Sequence, residues 1–282
     1  MIVFPNCKIN LGLRVPSKRL DGYHHIETIF YPIHLSDALE VIRQTDPLKQ
    51  SVSFSFSGLP IKGNEEDNLC IKAYSLLKEN YPAIPPIAAH LHKIIPMGAG
   101  LGGGSSDGAF MLRLLNQLFA LHLSDEKLCE YALKLGSDCP FFIYNQPCYA
   151  EGRGELLEPI SLSLKDYTIA LVYPALHVST AGAFRELNRT STPTQYDHSL
   201  KEIIRMPVKE WKDVLVNEFE TPAMKQFPEI AKIKSSLYDA GALYASMTGS
   251  GSTVFALFDK STSFEPDFPD SYFFRMIAEV SI

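Results

Sequence analysis

The residues whose types and spacing could do chemistry lie at positions 96–108, PMGAGLGGGSSDG. Five of the seven residues from 98 to 104 are glycine, and the hydroxyls of Ser105 and Ser106 follow. Glycine adopts positive φ and lets a ligand approach the backbone amides closely. An apolar segment precedes this loop and a longer apolar run follows it, so the predicted order is strand, loop, helix. Unpaired amides at a helix N-terminus, where the dipole is positive, bind phosphate groups.

Three binding modes compete for this loop. The glycine spacing fits G-x-G-x-x-G, the dinucleotide fingerprint, but Asp125 and Glu126 lie in a helix-like stretch instead of ending a second strand. A P-loop would need a lysine where Gly104 stands. The third mode is a phosphate cradle of another design, built from backbone amides and serines. A flexible Gly-Ser linker is disfavoured, because such linkers are seldom wedged between an apolar strand and an apolar helix.

Length, composition and charge bound the class of protein. The chain has 282 residues, of which 46% are hydrophobic, enough for two modest domains or one large one. Its net charge of −6 argues against wholesale binding to nucleic acid or to an anionic membrane. We find no signal-peptide pattern, no apolar run of about 18 residues, and no Cys-x-x-Cys pair among the five cysteines. We therefore expect a cytoplasmic protein with reduced thiols.

Hydrophobic periodicity predicts the elements that must position the loop. Asn68 begins an amphipathic helix, and Ser124 begins another that ends near Gly136. A second loop of glycine and serine, 246–252, leads into an apolar strand. Strands and helices are intermixed without strict alternation, so we predict an α+β fold. Further predicted segments are strands at 2–15, 26–43, 50–57 and 167–174, a turn and strand at 138–150, and helices at 198–206, 208–220 and 228–241.

Two more segments offer polar side chains. Lys8 and Asn10 are two residues apart in a predicted strand, so they lie on one face of it. Tyr23 and His24 lie in a predicted turn, within the sequence DGYH. Together with the two glycine loops, these segments suit one chemical purpose, the binding of a small polar ligand.

The four segments resemble the signature motifs of the GHMP kinase family, whose members phosphorylate small-molecule alcohols with ATP. The resemblance extends over nearly the whole chain and includes GSDCPFF at 136–142 and EGRGE at 151–155. DGYH together with the long glycine loop is most similar to the branch whose substrate is methylerythritol linked to cytidine diphosphate. The resemblance implies an α+β, two-lobed GHMP kinase fold, with an ATP-binding domain at 1–155, a substrate-side domain at 156–282 and the active site in the interdomain cleft.

The resemblance also implies a reaction. ATP would donate its γ-phosphoryl group to the tertiary 2-hydroxyl of the methylerythritol unit, in the non-mevalonate isoprenoid (terpenoid) pathway. Asp138 matches the family's catalytic aspartate, which accepts the hydroxyl proton. Lys8 matches the catalytic lysine, whose ammonium keeps Asp138 ionised and orients it or the hydroxyl. Without the resemblance, a turn aspartate and a solvated strand lysine are the simpler interpretations.

The same match implies the substrate-binding residues. Tyr23 and Phe184 match positions whose rings sandwich the cytosine. His24 and Asn10 match positions that hydrogen-bond the cytosine and the polar tail of the substrate. Core packing is the competing interpretation of both rings, above all of Phe184 in the helix-like STAGAFREL. The second glycine loop is expected to position the substrate phosphates or the transferred group through Thr248, Gly249, Ser250 and Gly251.

For ATP, the resemblance implies that the first glycine loop wraps the phosphates. Lys93 and Asn68 match positions near the adenine and ribose. Ser106, or else Ser105, matches the serine near Mg²⁺, the ion that offsets charge on the phosphates; no acidic ligand is assigned. The loop residues expected at the phosphates are Pro96, Met97, Gly98, Ala99, Gly100, Leu101, Gly102, Gly103, Gly104, Ser105 and Ser106.

Two other functions compete with this one. Another GHMP kinase would act on homoserine, mevalonate or a sugar, which carry no base for an aromatic pair to hold. A nucleotide-binding regulatory or scaffold protein without turnover needs neither Lys8 nor Asp138. For the kinase, we expect a small-molecule substrate, neither nucleic acid nor membrane as partner, and a monomer or homodimer.

Overall fold

The structure is a computed structural model that describes residues 1–44, 51–61, 63–187, 194–262 and 267–278. The strands are β1 (Ile2–Val3), β2 (Asn6–Lys18), β3 (His24–Ser36), β4 (Ala38–Arg43), β5 (Val52–Gly58), β6 (Ile87–Lys93), β7 (Cys148–Glu151), β8 (Leu156–Pro159), β9 (Tyr167–Tyr173), β10 (Tyr244–Met247), β11 (Val254–Asp259) and β12 (Phe273–Ala278). The helices are α1 (Leu69–Asn80), α2 (Gly103–Leu118), α3 (Asp125–Leu135), α4 (Cys139–Tyr144), α5 (Thr180–Leu187), α6 (Leu200–Ile203), α7 (Glu220–Gln226) and α8 (Pro228–Asp239). No helix in these ranges has the length and apolarity needed to span a bilayer.

The elements form two compact units, each assembled from separate stretches of chain. The first comprises Met1–Cys7, Leu35–Met97 and Gly102–Gln146, and the second comprises Lys8–His34, Gly98–Leu101 and Pro147–Ile282. The chain therefore enters and leaves the second unit within the first glycine loop. The single division into 1–155 and 156–282 stays a prediction.

The first unit is built on a four-stranded sheet covered by helices. The strand order is β1-β4-β6-β5, with β5 parallel to β6 and the other pairs antiparallel. Alternate residues of β4 and β6, including Val41 and Leu91, are buried, as expected for strands with one covered face. Helix α2 packs against α1, α3 and α4. Gly108 permits the close approach of α1, since a Cβ there would lie 2.8 Å from Leu69 Cβ.

Helix starts in this unit follow the predicted caps. The Asn68 side chain accepts a hydrogen bond from the amide of Cys70 at 2.8 Å, and α1 begins after it. The Ser124 hydroxyl accepts from the amide of Lys127 at 3.3 Å, and α3 ends before Gly136. Both caps satisfy amides that have no partner inside the helix, so both predictions are confirmed.

The predicted turn and strand at 138–150 is wrong in its first half. Residues Cys139–Tyr144 form α4, and only Cys148–Glu151 forms a strand. Pro140 lies in the first turn of α4, where its fixed φ suits a helix and its missing amide costs nothing. The short apolar run that follows was compatible with a strand or a buried helix.

The second unit contains two four-stranded sheets, with strand orders β2-β3-β7-β8 and β10-β11-β9-β12. In the latter sheet β9 lies between β11 and β12, antiparallel to both. Its strands contribute to one apolar cluster with α7 and α8, in which Val172, Ile230 and Phe258 are buried. The whole chain is thus an α+β protein, as predicted.

The predicted helix at 208–220 is wrong. That segment has only a 3₁₀ turn, Val208–Glu210, before α7 begins at Glu220. Residues Val216 and Glu218 instead pair with β2, because Leu13 donates to the Val216 carbonyl at 3.0 Å and accepts from the Glu218 amide at 2.9 Å. Tertiary hydrogen bonds to a neighbouring strand here override a helix-like pattern.

Candidate active site

Lys8 and Asn10 lie on the same face of β2 and contact each other. The Lys8 ammonium donates to Asn10 Oδ1 at 2.5 Å and lies 5.1 Å from the centre of the Phe30 ring. The Lys8 amide donates to the carbonyl of Leu101 in the first glycine loop at 3.0 Å. Lys8 is only 3% exposed. A solvated strand lysine is therefore the wrong interpretation of this residue.

Asn10 connects β2 to both glycine loops. Its backbone amide donates to the Thr248 hydroxyl at 3.0 Å, and its side-chain amide donates to the Thr28 hydroxyl at 2.9 Å. The Thr248 hydroxyl lies 3.1 Å from both Asn10 Oδ1 and the Gly100 carbonyl oxygen. Three segments that the sequence singled out separately, around Lys8, Gly100 and Thr248, are thus one hydrogen-bonded network inside the second unit.

The close approach of the two loops requires glycine at position 100. Gly100 has φ of +82°, and a Cβ there would lie 2.1 Å from the Thr248 carbonyl oxygen. The side chains of Ala99 and Leu101 are buried. This part of the loop can therefore offer a ligand chiefly its backbone, which fits a phosphate chain.

Asn217 holds the second glycine loop and was missed by the sequence analysis. Its buried side-chain amide donates to the carbonyl oxygens of Met247 and Gly249, at 2.7 and 2.9 Å, on either side of Thr248. Its Oδ1 accepts from the Phe219 amide at 3.0 Å. The bond to Phe219 is local, but an asparagine in the segment VNEFE carries no local signal of this role, because both carbonyl partners depend on the tertiary fold.

Helix α2 begins inside the glycine run, at Gly103, so Ser105 and Ser106 lie in its first turns. Ser106 is fully buried, and its hydroxyl has no hydrogen-bond partner within the described ranges. Ser105 is partly exposed. Ser105 also hydrogen-bonds the thiol of Cys139, although burial dominates and raises the pKa of that thiol to about 12. Of the two serines predicted near Mg²⁺, Ser105 is the more accessible.

Asp138 lies immediately before α4, next to Cys139. It is partly exposed, and its carboxylate makes no capping hydrogen bond to the amides of the helix. Capping is the usual structural role of an aspartate at this position. The Asp138 carboxylate therefore does not serve as the cap of α4.

Lys93 is buried among carboxylates. Its ammonium donates to Asp37 at 2.5 Å and to Asp107 at 2.8 Å, and the Lys93 and Asp37 side chains are 0% exposed. Burial lowers the pKa of Lys93, but the two carboxylates outweigh it and the pKa is raised. Burial, and after it the neighbouring Asp37 carboxylate, raise the pKa of Asp107 above its usual range, although the Lys93 ammonium lowers it. The expected contact of Lys93 with adenine and ribose stays a prediction, as does that of Asn68, whose oxygen caps α1.

The aromatic residues form a looser group. The Phe184 ring stacks on His24, with centroids 4.6 Å apart, and meets Phe219 edge-on at 4.8 Å. Burial, and then Lys18, lower the pKa of His24. Tyr23 is 57% exposed, with the Arg153 guanidinium 5.1 Å from its ring centre. His24 thus covers one face of the Phe184 ring, which was predicted to stack on a base, and Phe184 also packs against the core.

The second unit therefore brings together Lys8, Asn10, the segment Gly98–Leu101 and the second glycine loop, in which Ser250 lies 2.8 Å from the Thr180 hydroxyl. Tyr23, His24 and Phe184 belong to that unit too. The first unit holds Asn68, Lys93, Pro96, Met97, the residues 102–106 and Asp138. Within the described ranges, no three His, Cys, Asp or Glu side chains are grouped as metal ligands.

Comparisons with known proteins define the class. The model of the GHMP kinases N terminal domain matches residues 68–146, and that of the GHMP kinases C terminal domain matches 199–265. The chain belongs to the GHMP kinase family, as its motifs predicted, and it is a small-molecule kinase of the kind that uses ATP.

Individual relatives show which members of the family this chain resembles in sequence and structure. The 4-diphosphocytidyl-2-C-methyl-D-erythritol kinase of Bacteroides fragilis is 55% identical over 258 residues, which cover 92% of each chain. A crystal structure of 4-(cytidine 5'-diphospho)-2C-methyl-D-erythritol kinase matches with a TM-score of 0.75 and 32% identity, covering 91% of this chain and 90% of that one. Mevalonate kinase of Methanococcus jannaschii matches with a TM-score of 0.67 at 15% identity, over 93% of this chain and 92% of that one, and shows the fold alone.

Proposed function

We propose that the chain transfers the γ-phosphoryl group of ATP to the 2-hydroxyl of 4-diphosphocytidyl-2-C-methyl-D-erythritol, giving ADP and the 2-phosphate. This is a step of the non-mevalonate isoprenoid pathway. The observation that carries the proposal is the buried network of Lys8, Asn10, Thr248 and Gly100, which joins three kinase motifs by hydrogen bonds. The names and high identity of the relatives supply the acceptor.

Asp138 and Lys8 are the proposed catalytic residues. The substrate oxygen forms a bond to the γ-phosphorus while the bond to the β-phosphate oxygen breaks, and the hydroxyl proton passes to the Asp138 carboxylate. A tertiary hydroxyl is a very weak acid, so its alignment with the phosphorus matters more than the strength of the base. Lys8 is held in one orientation by Asn10, as an electrostatic group must be to act without reorganisation.

The chain's residues fit a nucleotide and its metal ion. The first glycine loop presents backbone to a phosphate chain, the start of α2 adds the positive end of its dipole, and the hydroxyls of Ser105 and Ser106 are oxygen donors. Mg²⁺, when bound with ATP, neutralises charge that develops on the phosphates. We propose that its ligands are mainly phosphate oxygens and one of these hydroxyls, since Mg²⁺ commonly binds through substrate phosphates.

The acceptor is proposed to bind by its base and by its phosphates. Tyr23 and Phe184 stack on the cytosine, while His24 and Asn10 hydrogen-bond the substrate. The second glycine loop, from Thr248 to Gly251, positions the phosphates or the transferred group. His24 stacks on Phe184, so a base that uses that face of the ring would have to displace the imidazole.

The cellular location, the partners and the oligomeric state are proposed from simpler observations. All five cysteines are free thiols, which fits a cytoplasmic enzyme. The net charge of −6 fits a small-molecule substrate and neither nucleic acid nor an anionic membrane as partner. The active form is proposed to be a monomer or a homodimer.

A coupled ADP-release assay tests the function. The protein is given ATP and Mg²⁺ with 4-diphosphocytidyl-2-C-methyl-D-erythritol, and in parallel with homoserine, mevalonate or galactose. Turnover with the cytidylyl substrate alone supports the proposal. Turnover with another acceptor overturns the substrate but keeps the kinase.

The variant Asp138→Asn tests the mechanism in the same assay. We expect kcat to fall by about 100-fold or more with substrate binding kept, because the proton acceptor is lost. An unchanged rate would remove Asp138 from the mechanism. No turnover by the wild type with any acceptor, despite ATP binding, would favour the non-catalytic alternative.

A further inference from the structure

Lys93, Asp37 and Asp107 form a buried cluster that joins the two elements flanking the first glycine loop. Lys93 is the last residue of β6, and Asp107 is the fifth residue of α2. The Lys93 ammonium bonds Asp107 at 2.8 Å and Asp37 at 2.5 Å. Asp37 lies between β3 and β4, and its amide donates to the Pro5 carbonyl at 2.8 Å. The cluster therefore connects three parts of the first unit through charges.

Asp37 also holds the backbone where the loop begins. Its Oδ1 accepts hydrogen bonds from the amides of Ile94 and Ile95, at 2.5 and 2.9 Å. These two residues follow β6 and directly precede the loop. One carboxylate thus binds both the lysine side chain and the first amides after the strand.

The Lys93 ammonium lies beneath the first residue of α2. A Cβ built on Gly103 would lie 3.3 Å from Lys93 Nζ and 2.8 Å from Ile95 Cγ2. The spacing between the end of β6 and the start of α2 is therefore fixed by packing and by charge at the same point. Removing Lys93 would leave two buried carboxylates without their cation, which is far more costly than losing a surface ion pair.

We propose that Lys93, Asp37 and Asp107 are positioning residues, which hold the end of β6 and the start of α2 at the separation the phosphate-binding loop requires. Lys93 then acts on the triphosphate through the loop, without touching adenine or ribose. This inference rests on the proposed ATP site, but not on the identity of the acceptor.

The test separates binding of phosphates from binding of the nucleoside. Affinities for ATP and for inorganic tripolyphosphate are measured by calorimetry, and adenosine binding by ligand-observed NMR, all without acceptor. We expect Lys93→Met and Asp107→Asn each to weaken ATP and tripolyphosphate binding by about tenfold or more, as a displaced loop would. Adenosine affinity should stay within about twofold, because the cluster is proposed to act only on the loop that binds the phosphates. A general loosening of the fold would weaken the binding of all three ligands.

A matched control is Lys72→Met. Lys72 pairs with Asp67 at 3.0 Å on the surface of α1, so its loss should leave all three affinities unchanged. Because Lys93→Met strands two carboxylates, Asp107→Asn keeps the test valid if the lysine variant fails to fold. The Asn amide oxygen can still accept from Lys93, which keeps the fold, but the negative charge that ties Lys93 to α2 is lost.

Three results would overturn the proposal. One is a parallel loss of adenosine and ATP affinity in Lys93→Met while Asp107→Asn is unaffected. That result would mean that Lys93 contacts the nucleoside directly. Another is an equal loss for all three probes in Asp107→Asn. The third is full tripolyphosphate affinity in a folded Asp107→Asn variant. A wild type that binds ATP but does not phosphorylate the cytidylyl substrate would contradict the proposed function and leave this test intact.

Discussion

Two regions of the second unit differ in how firmly their side chains are held. On the phosphate side, Asn10, Thr248 and Asn217 are buried, and each makes at least two hydrogen bonds to other elements. On the proposed base side, Tyr23 is mostly exposed, and Phe184 stacks on His24 and meets Phe219 edge-on. A transferring phosphoryl group needs fixed donors, whereas stacking on a base tolerates adjustment. The comparison predicts that phosphate-side variants lower kcat and base-side variants raise KM.

The largest effect is expected from Gly100→Ala. The new Cβ would lie 2.1 Å from a backbone oxygen of Thr248, so the two loops must separate and ATP turnover should be lost. Gly63→Ala is a matched control, because Gly63 has φ of +105° and no atom within 4 Å of the added Cβ. Turnover and thermal unfolding of both variants check this. Near wild-type activity of Gly100→Ala would show that the loops do not need their contact.

Next in size is Asn217→Asp. The carboxylate can no longer donate to the carbonyls of Met247 and Gly249, and leaving such groups buried and unsatisfied costs about 1–3 kcal/mol. We expect a lower midpoint of thermal unfolding and a kcat reduced by about tenfold or more, with a smaller change in KM. Asn80→Asp, at an exposed helix end, should change neither. A rise in KM alone would contradict the assignment of Asn217 to the phosphate side.

A smaller effect is expected from Phe184→Leu, which removes the ring but keeps most of the apolar volume. The KM for the cytidylyl substrate should rise by about fivefold to tenfold, the worth of one aromatic stack, with kcat nearly unchanged. Phe56→Leu, on an exposed ring of β5, is the control. An unchanged KM would mean that Phe184 serves only the core and its contact with His24.

The smallest effect concerns pH and His24. Burial and Lys18 lower the pKa of this imidazole, so it is neutral at pH 7 and charges only below the ordinary histidine range near about 6.5. Protonation would place a cation near Lys18, and KM for the cytidylyl substrate should rise by about twofold to threefold between pH 7.5 and 5.5. His24→Asn should flatten this dependence. A wild-type KM that is flat over this range would exclude a role for the neutral imidazole.

Local signals predicted much of the fold. Asn68 and Ser124 mark the starts of α1 and α3, because a cap acts within three residues of itself. The predictions for residues 138–144 and 208–220 were wrong for different reasons. The first is a short apolar run whose period suits either a helix or a strand. The second pairs with β2, because Leu13 donates to the Val216 carbonyl and accepts from the Glu218 amide. Leu13 lies about 200 residues before that segment, so a local hydrophobic period cannot reveal the pairing.

The sequence by itself determined the strand-loop-helix order around the first glycine loop, the shared face of Lys8 and Asn10, and the family. These follow from nearest-neighbour conformational preferences and from motif types. Only the tertiary structure decided that Lys93 lies between Asp37 and Asp107, that Asn217 holds the loop around Thr248, and that His24 stacks on Phe184. Asp37 is 56 residues from Lys93, and Asn217 is 30 residues or more from both carbonyls that it binds. Such pairs form because buried charges and carbonyls must find partners wherever the fold brings one within reach.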